Sequence, residues 1–446
     1  MNTDEENLLI RYIEAQMGGE VTGLVRQARW RKAWFAELTR GGVVIPLYIR
    51  GDKQLDAEPF PGLAREAAIL RQLEADGILV PHVHGVCPEP LAIVMERLPG
   101  VREVEQAAND AQRQSIAEQY VAQLARMHAL DVGPFVAAGI GLPADPRGNV
   151  LAYLDANQPL YDRGKRKPQP FVEFALRWAR RNAPTDRPRS SFIHCDVGQF
   201  LFVEGKITGI YDFEASHIGD PLADLASLRT RDGFEPLGAD VSHLVRHYQQ
   251  LTGETIDPWA LSFHTFTFSL TSVMALSGPL SEPDAHRVEL EYLIWYLMTR
   301  RAAIWAMAEC LGLQLTPSPA LPPQPTRQSL LLNVLGQTVA RGPAETAMEQ
   351  RHRQSAITLA QWAVQADAQS SAADQRERAS LARFIEPVPL AWDDADAALE
   401  RFVLQAGPEH DHALLLHFAQ QLEDEISMAE PLRERLAGYA LKPVVL

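Results

Sequence analysis

Cysteine is scarce in this sequence. Cys87, Cys195 and Cys310 are far apart and form no C-x-x-C pair, which argues against a disulfide framework and against a zinc site of the usual spacing. The most apolar long stretch, residues 259–280, contains His264 and many serines and threonines, so it favours a buried helix over a membrane span. The first residues lack the basic start and apolar run of a signal peptide. We therefore expect a cytoplasmic protein.

A surplus of positive charge is also missing. The chain has 42 Lys and Arg against 57 Asp and Glu, which gives a formal net charge of −15. Such a balance does not favour sequence-independent binding to nucleic acid or to an anionic membrane. The sequence contains no G-x-x-x-x-G-K-[ST], no G-x-S-x-G and no H-E-x-x-H, which argues against a Walker-type nucleotide loop, a serine hydrolase and a zinc protease.

The composition is that of a globular protein large enough for two or three domains. Hydrophobic residues make up 46% of the 446 residues and charged residues 22%. Five prolines between Pro317 and Pro325 indicate an extended linker. The pattern before the linker predicts a strand over 43–49, helices over 63–73, 115–130 and 171–182, and a β-rich island over 191–213; the pattern after it is helical.

The β-rich island carries the candidate chemistry. Residues 191–194 form a short apolar run, and residues 200–203 and 207–211 read as a hairpin around the turn 204–206. Asp196 lies on the loop before the hairpin and Asp212 at its far end. Because a hairpin returns the chain to near its start, the two carboxylates are expected within about 10 Å of each other. Phosphoryl transfer uses such a pair, one to orient the attacking hydroxyl and one to hold Mg²⁺.

Three motifs in this region resemble one known family. His194-Cys195-Asp196, then Asp212-Phe213-Glu214, then Gly219-Asp220-Pro221-Leu222-Ala223-Asp224-Leu225-Ala226 look like the H-G-D-x-x-x-x-N and D-[FW]-E-x-x-x-x-G-D-P-x-x-D-L-A motifs of the aminoglycoside phosphotransferase (APH) and choline-kinase-like family. The last run looks most like its hydroxyacyl-CoA-kinase-like branch. Segments 94–100 and 124–130 resemble the family's hinge and a helix of its larger lobe, so the likeness covers residues 15–315.

The resemblance implies a fold and an activity. The fold would be α+β and two-lobed, of the protein-kinase-like type, with a small β-rich N-terminal lobe, a larger helical lobe and a C-terminal helical region. The implied domains are a nucleotide-binding lobe (1–96) and a catalytic and substrate lobe (97–315); beyond the likeness, the prolines and the helical pattern add a Pro-rich linker (316–328) and a helical region (329–446). The implied cofactors are ATP or GTP and Mg²⁺, and the implied activity is transfer of the γ-phosphoryl group to a small-molecule hydroxyl.

The resemblance also implies roles for individual residues. Asp196 would be the catalytic base or hydroxyl-orienting group, and His194 would support its loop. Asp212 would be the main Mg²⁺ ligand. Asp224 would brace the catalytic loop from the next helix, whose first turn Asp220 can cap.

Two positions depart from the family motif. The Asn that serves the family as a metal ligand is absent at its expected place, and a loop shortened by two residues brings Gln199 there. Glutamine offers the same amide oxygen on a longer arm, so we take Gln199 as the second metal ligand. Cys195 stands where glycine is usual, and this restricts the backbone.

The N-terminal lobe carries weaker signals. The nucleotide loop would lie within residues 18–35, which are not a convincing glycine-rich loop. Arg50 falls on the strand position that often carries Lys, and Arg can bind phosphate oxygens. Glu66 would be its partner on the next helix, unless the two form a plain surface ion pair. Met95 and Glu96 would contact the nucleotide at the hinge.

The acceptor is an open question in the sequence. Residues 161–190 are locally basic; they are either an ordinary solvated surface or a region that attracts an anionic acceptor such as a hydroxyacid or hydroxyacyl-CoA. The alternatives are an antibiotic kinase of the aminoglycoside type and a non-catalytic nucleotide-binding pseudokinase or scaffold. Neither nucleic acid nor membrane is an expected partner, whereas the C-terminal region could support a homo-oligomer or bind a protein.

Overall fold

The computed structural model describes residues 3–27, 31–52, 62–283, 289–316, 318–324, 326–437, 439 and 441–446. It confirms the α+β class, with an antiparallel sheet near the N-terminus and helices in most of the rest. Within these residues, no helix combines the length and the apolar character needed to cross a bilayer.

The N-terminal part is a five-stranded antiparallel sheet with two helices. Its strand order is β1-β2-β3-β5-β4. The buried face of the sheet packs on α1 through Leu9 and Ile13, against Trp34, Leu47 and Ile49. The elements are α1 (Asp4–Met17), β1 (Glu20–Arg26), β2 (Ala33–Arg40), β3 (Val43–Gly51), α2 (Leu63–Ala75), β4 (Val83–Pro88) and β5 (Leu91–Glu96).

The middle of the chain contains the β-rich island between helices. The short strands β6 and β9 pair with each other, and β7 pairs with β8. Strand β9 was not foreseen, because three residues carry too little alternation to stand out. The elements are α3 (Asp110–His128), α4 (Gly133–Ala137), α5 (Pro146–Gly164), α6 (Pro170–Asn182), β6 (Ser191–Ile193), β7 (Phe200–Val203), β8 (Lys206–Ile210), β9 (His217–Gly219), α7 (Leu222–Asp232) and α8 (Val241–Thr252).

The β7–β8 hairpin is tighter than expected. Its turn is the two-residue pair Glu204-Gly205, so Lys206 already belongs to the returning strand. Glu204 has φ 48° and Gly205 has φ 78°. Two successive positive φ values characterise the type I′ turn, whose twist matches that of the flanking strands.

The remaining chain is helical. The apolar stretch 259–280 forms a largely buried helix, as predicted. The helical pattern predicted after the linker includes a 35-residue helix that begins with a capping box between Thr346 and Glu349. The elements are α9 (Pro258–Ser281), α10 (Leu290–Cys310), α11 (Ser329–Arg341), α12 (Ala347–Leu381), α13 (Trp392–Val403), α14 (Asp411–Met428) and α15 (Arg433–Ala437).

The chain divides into two compact units. Unit 1 comprises residues 1–156, 184–257 and 443–446, and unit 2 comprises residues 157–183 and 258–442. Unit 1 therefore holds the sheet and the β-rich island, whereas α6, α9 and α10 group with the C-terminal helices. The domain boundaries at 96, 315 and 328 remain predictions; of the linker prolines, Pro317 and Pro325 lie outside the described residues.

The hairpin turn yields a stability prediction. We expect Gly205→Ala to destabilise unit 1 by about 1–2 kcal/mol, because a side chain at positive φ is strained. The new Cβ would also lie 2.6–2.9 Å from side-chain atoms of Gln112. The measurement is the thermal unfolding midpoint. Gly141→Ala is the matched control, since no atom lies within 4 Å of its Cβ position; equal midpoints for the two variants would contradict the prediction.

Candidate active site

The catalytic loop is held by the carboxylate of Asp224. This side chain is fully buried on α7. It accepts hydrogen bonds from the backbone N–H groups of His194, at 3.0 Å, and Cys195, at 2.7 Å. His128 Nε2 lies 3.0 Å from the same carboxylate. Burial acts to raise the pKa of Asp224, but the hydrogen bonds from His128 and Cys195 outweigh it and lower the pKa. An ionised carboxylate therefore anchors the loop.

Cys195 adopts the backbone conformation that glycine would adopt more easily. Its φ is 74°, in the left-handed region, which costs a non-glycine residue about 1–2 kcal/mol. The hydrogen bond from its N–H to Asp224 holds it there. Burial raises the pKa of the Cys195 thiol, so this cysteine is not a reactive nucleophile.

Both ring nitrogens of His194 are engaged. Nδ1 accepts from the hydroxyl of Tyr120 at 2.9 Å, and Nε2 donates to the carbonyl oxygen of Tyr211 at 3.1 Å. The Tyr120 hydroxyl in turn accepts from the N–H of Gly198 at 3.0 Å. His194 thus connects the loop that carries Asp196 to the end of the hairpin before Asp212.

Asp196 is a half-exposed carboxylate with two neighbours. Arg231 of α7 forms an ion pair with it, and Gln199 Nε2 donates to its Oδ2 at 3.1 Å. Burial raises the pKa of Asp196, and the charge of Asp212 adds to this, against the opposing effect of Arg231. Because Gln199 uses its amide nitrogen on Asp196, its amide oxygen is left for another partner.

Asp212 follows strand β8 in a left-handed conformation, with φ 68°. The N–H of Tyr211 donates to the carbonyl of Gln199 at 2.9 Å, so the hairpin brings the Asp212 segment beside the catalytic loop. Burial acts to raise the pKa of Asp212, but Arg50, whose Nη2 lies 2.5 Å from Oδ1, lowers it. The two neighbouring carboxylates therefore have pKa shifts of opposite sign.

Arg50 is the centre of a buried ion-pair network. It pairs with Glu66 at 3.1 Å, with Glu214 at 2.7 Å and with Asp212. Arg31 also pairs with Glu214, and it donates to the carbonyl of Gly51 at 3.0 Å. Since Arg50 and Glu66 are 5% and 3% exposed, the alternative of a surface ion pair is wrong. The network links strand β3 and helix α2 to the segment after the hairpin.

The other nucleotide-site candidates lie on and near the sheet. Met95 and Glu96 end strand β5, where Met95 is buried and Glu96 is exposed. Glu96 Oε2 accepts from the N–H of His82 at 3.4 Å. Within the segment 18–35, residues 28–30 lie outside the described residues.

Asp220 lies at the start of α7. Its Oδ1 accepts from the N–H of Leu222 at 3.0 Å, and its carboxylate pairs with Arg187. The residue therefore ties the first turn of α7 to the segment before β6.

The basic segment 161–190 does not form a free positive surface. Its basic residues lie in both units, and most of them form ion pairs with carboxylates of their own unit. In unit 2, Lys165 pairs with Glu173 and Glu400, and Arg181 with Asp411; in unit 1, Arg187 pairs with Asp220 and Arg189 with Glu254. These pairs favour the structural interpretation of the segment.

Sequence reasoning missed two residues of this site, Tyr120 and Arg231. Arg231 follows Asp224 by seven residues, two helical turns on the same face of α7, and this spacing was a usable signal. No comparable signal marks Tyr120, because it reads as one of the apolar residues of the α3 face.

A small cavity of about 290 Å³ lies beside the catalytic loop in unit 1. Gly198 and Phe200 form one side of it. Two arginines and three glutamates contribute charge: Arg102, Arg231, Glu103, Glu105 and Glu235. Arg102 pairs with Glu235 at 2.8 Å, and Arg231 pairs with Glu235 as well as with Asp196.

Comparison with solved structures supports a kinase-like fold. A protein from Ralstonia eutropha JMP134, provisionally classed as an aminoglycoside phosphotransferase, is 16% identical and has a TM-score of 0.55, with 70% of this chain and 99% of that chain covered. Macrolide 2′-phosphotransferase MphH from Brachybacterium faecium is 18% identical, with a TM-score of 0.46 and coverage of 63% and 94%. Aminoglycoside phosphotransferase APH(4)-Ia, solved with ADP and hygromycin B, is 16% identical, with a TM-score of 0.46 and coverage of 68% and 97%. The likeness in fold rests on the Ralstonia protein, whose TM-score exceeds 0.5.

Sequence comparison identifies the family. A search of curated proteins finds no significant match. The profile of the APH "Phosphotransferase enzyme family" matches residues 33–260, slightly more than half of the chain. The chain therefore belongs to the APH phosphotransferase enzyme family, and by that membership it is a small-molecule kinase with a protein-kinase-like fold.

Proposed function

We propose that this protein transfers the γ-phosphoryl group of ATP or GTP to a hydroxyl group of a small molecule, with Mg²⁺ as cofactor. The observation that carries the proposal is the pair Asp196 and Asp212, two neighbouring carboxylates with pKa shifts of opposite sign. Environments that push two carboxyl pKa values apart distinguish a proton acceptor from a permanently ionised group.

Asp196 is suited to the acceptor hydroxyl. It is half-exposed beside a cavity, and its raised pKa makes it a better proton acceptor than an ordinary aspartate. Gln199 and Arg231 orient its carboxylate. In the proposed step the acceptor oxygen bonds to the γ-phosphorus as the bond to the β-phosphate bridging oxygen breaks, and Asp196 takes the hydroxyl proton.

Asp212 and Gln199 fit Mg²⁺ by the chemistry of their donors. Asp212 offers a carboxylate kept ionised by Arg50, and Gln199 offers an amide oxygen; Mg²⁺ prefers such oxygen ligands. Within the residues that the structure describes, no group of three or more His, Cys, Asp or Glu side chains could hold a metal ion, so nucleotide phosphates and water would complete the coordination. When bound, the ion would offset the negative charge of the phosphates.

The proposed nucleotide site uses Arg50 and Arg31 near the phosphates and residues 95–96 at the hinge. Arg50 is held in place by Glu66, which leaves a fixed guanidinium beside Asp212. Asp224 and His194 act as positioning residues, since they hold the loop that carries Asp196.

The charge of the acceptor is the finer part of the proposal. We favour an anionic acceptor, a hydroxyacid or hydroxyacyl-CoA, because Arg231 contacts Asp196 and Arg102 lines the same cavity. A carboxylate or phosphate on the acceptor could bind these guanidinium groups. The glutamates of the cavity, Glu103, Glu105 and Glu235, favour the second candidate, a cationic acceptor of the aminoglycoside type.

The role of Asp196 is tested by Asp196→Asn. We expect turnover to fall by about a hundredfold to ten-thousandfold, because the proton acceptor is lost, while nucleotide binding is retained. Nucleotide release and nucleotide affinity are measured on the same preparation. Asp110→Asn, a change at a side chain that is 94% exposed, is the control and should keep parental turnover. Full activity in Asp196→Asn would refute the assignment.

The role of Gln199 is tested by its magnesium dependence. Gln199→Leu removes the amide oxygen, and we expect the Mg²⁺ concentration for half-maximal rate to rise by about tenfold or more. Gln199→Asn keeps an amide oxygen on a shorter side chain. Its Mg²⁺ concentration for half-maximal rate should lie between that of Gln199→Leu and that of the parent. An unchanged magnesium requirement in Gln199→Leu would show that another group binds the metal.

The acceptor class is tested by a panel of hydroxyacids, hydroxyacyl-CoAs, aminoglycosides and choline, with ATP or GTP and Mg²⁺. For an anionic acceptor, Arg102→Gln should raise KM severalfold and leave kcat little changed, because an exposed charge mainly affects binding. For a cationic acceptor, Glu105→Gln should do so instead. Arg113→Gln, outside the cavity, is the control. Nucleotide binding without turnover on any acceptor would favour the non-catalytic alternative.

A further inference from the structure

Unit 2 contains a cavity of about 510 Å³ that no part of the proposed reaction uses. We call it the helical-unit cavity; it is lined by side chains of α6, α9, α10, α12, α13 and α14 and by residues 167–169. Four aromatic rings contribute to its wall: Phe171, Tyr296, Trp362 and Phe418. Its volume is in the range of small-molecule sites, which are mostly apolar with a few convergent polar groups.

The charged groups of this cavity are unbalanced. Three carboxylates line it, Asp393, Asp396 and Glu425, against one buried cation, Arg300, and the exposed Lys167. The guanidinium of Arg300 is already committed, because it pairs with Glu425 at 3.0 and 3.1 Å and donates to Gln421. Its Nη1 and Nη2 groups are therefore engaged, whereas its buried Nε–H has no hydrogen-bond partner among the described residues.

Asp393 and Asp396 are the uncompensated groups. They lie three residues apart on α13, on one face of the helix. Neither makes a hydrogen bond or an ion pair within the part of the chain that the structure describes. Asp393 is exposed, whereas Asp396 is half-buried; a half-buried carboxylate without a partner is costly unless a cation comes to it.

Negative charge predominates around Asp396. Burial raises its pKa to about 6, and the neighbouring charges of Asp393, Glu425 and Glu400 act in the same direction, with only Arg300 opposing. Glu377, which accepts a hydrogen bond from Gln421 at 2.7 Å, has a pKa raised to about 7 for the same reasons. A bound cation would relieve this repulsion.

The cavity also lies mostly outside the family domain. Of its lining residues, only Lys167–Phe171 fall within the matched stretch 33–260. The family profile therefore does not account for the side chains that line this cavity.

We propose that the helical-unit cavity binds a small organic cation with an apolar body. The ammonium group would lie at Asp393 and Asp396, for which the described residues supply no ion-pair partner. The apolar body would pack against Trp362, whose ring face also attracts a cation, and beside Tyr296 and Phe171, whose ring centroids already lie 6.0 and 5.4 Å from the Arg300 guanidinium. This site is separate from the proposed phosphoryl transfer and does not depend on it.

The test is calorimetric titration of the full chain, without nucleotide or metal, with three probes of one shape: 2-phenylethylamine, phenylacetamide and phenylacetate. These differ in charge, positive, neutral and negative, and none has a hydroxyl that could be phosphorylated. We expect the amine to bind at least about tenfold more tightly than the amide, and the acid not to bind, because only the amine supplies the missing charge.

Two variants locate the site. Asp396→Asn keeps the shape and removes the charge, and should weaken amine binding by about tenfold or more. Asp394→Asn changes an exposed carboxylate on the same helix that does not line the cavity, and should bind like the parent. Trp362→Leu should also weaken binding of the amine. A thermal midpoint for Asp396→Asn no lower than that of the parent shows that any loss of binding is not a loss of folding.

Several outcomes would overturn the proposal. They are no binding of the amine at millimolar concentration, equal binding of amine and amide, preference for phenylacetate, or parental affinity in Asp396→Asn. None of these results bears on phosphoryl transfer, because the assay contains neither nucleotide nor acceptor. A failure of the kinase proposal would likewise leave the cation measurement intact.

Discussion

The buried carboxylate of Asp224 is the interaction on which the candidate site depends. It accepts the backbone N–H groups of two successive residues, His194 and Cys195, and it also contacts His128. These contacts hold Cys195 at a positive φ that a cysteine would otherwise avoid. They also determine where the next residue, Asp196, enters the site. A single side chain of α7 thereby orients the loop that carries the chemistry.

The second constraint is electrostatic. Asp212 lies close enough to Asp196 for its charge to raise the pKa of Asp196, and two like charges can coexist there only if cations separate their environments. Arg50 serves Asp212 and Arg231 serves Asp196. The two arginines come from different parts of the fold, strand β3 and helix α7. Their positions explain how one carboxylate can have a lowered pKa beside another whose pKa is raised.

In the segment 161–190, ion pairs neutralise basic residues that are clustered in the sequence. Its clustered arginines and lysines suggested a surface that attracts anions, but most of them are matched to carboxylates distant in sequence, such as Asp411 for Arg181 and Glu400 for Lys165. Unit 2 shows the opposite case, because Asp393 and Asp396 on α13 have no ion-pair partner within the described part of the chain. Charge that is unbalanced along the sequence is thus balanced by distant partners in one part of the structure and left unbalanced in another.

Much of the architecture was predictable, because it depends on local patterns. Apolar periodicity indicated strand β3 and helices α2, α3, α6 and α9. The order of the strands around Gly205 indicated the hairpin that brings Asp196 and Asp212 together. Short elements were harder to foresee: strand β9 has three residues and forms only by pairing with β6.

The sequence by itself determined the family, through motifs that are contiguous along the chain, and it determined which carboxylates lie at the hairpin. Tertiary structure decided their surroundings. Arg50 reaches Asp212 across 162 residues, and Tyr120 reaches His194 across 74; no local pattern encodes such contacts, since they depend on how distant elements pack. The aromatic wall and unpaired carboxylates of the helical-unit cavity come from five helices for the same reason. The sequence specifies which side chains are present. The dielectric surroundings and charge partners that determine the chemistry of each side chain arise only when the chain has folded.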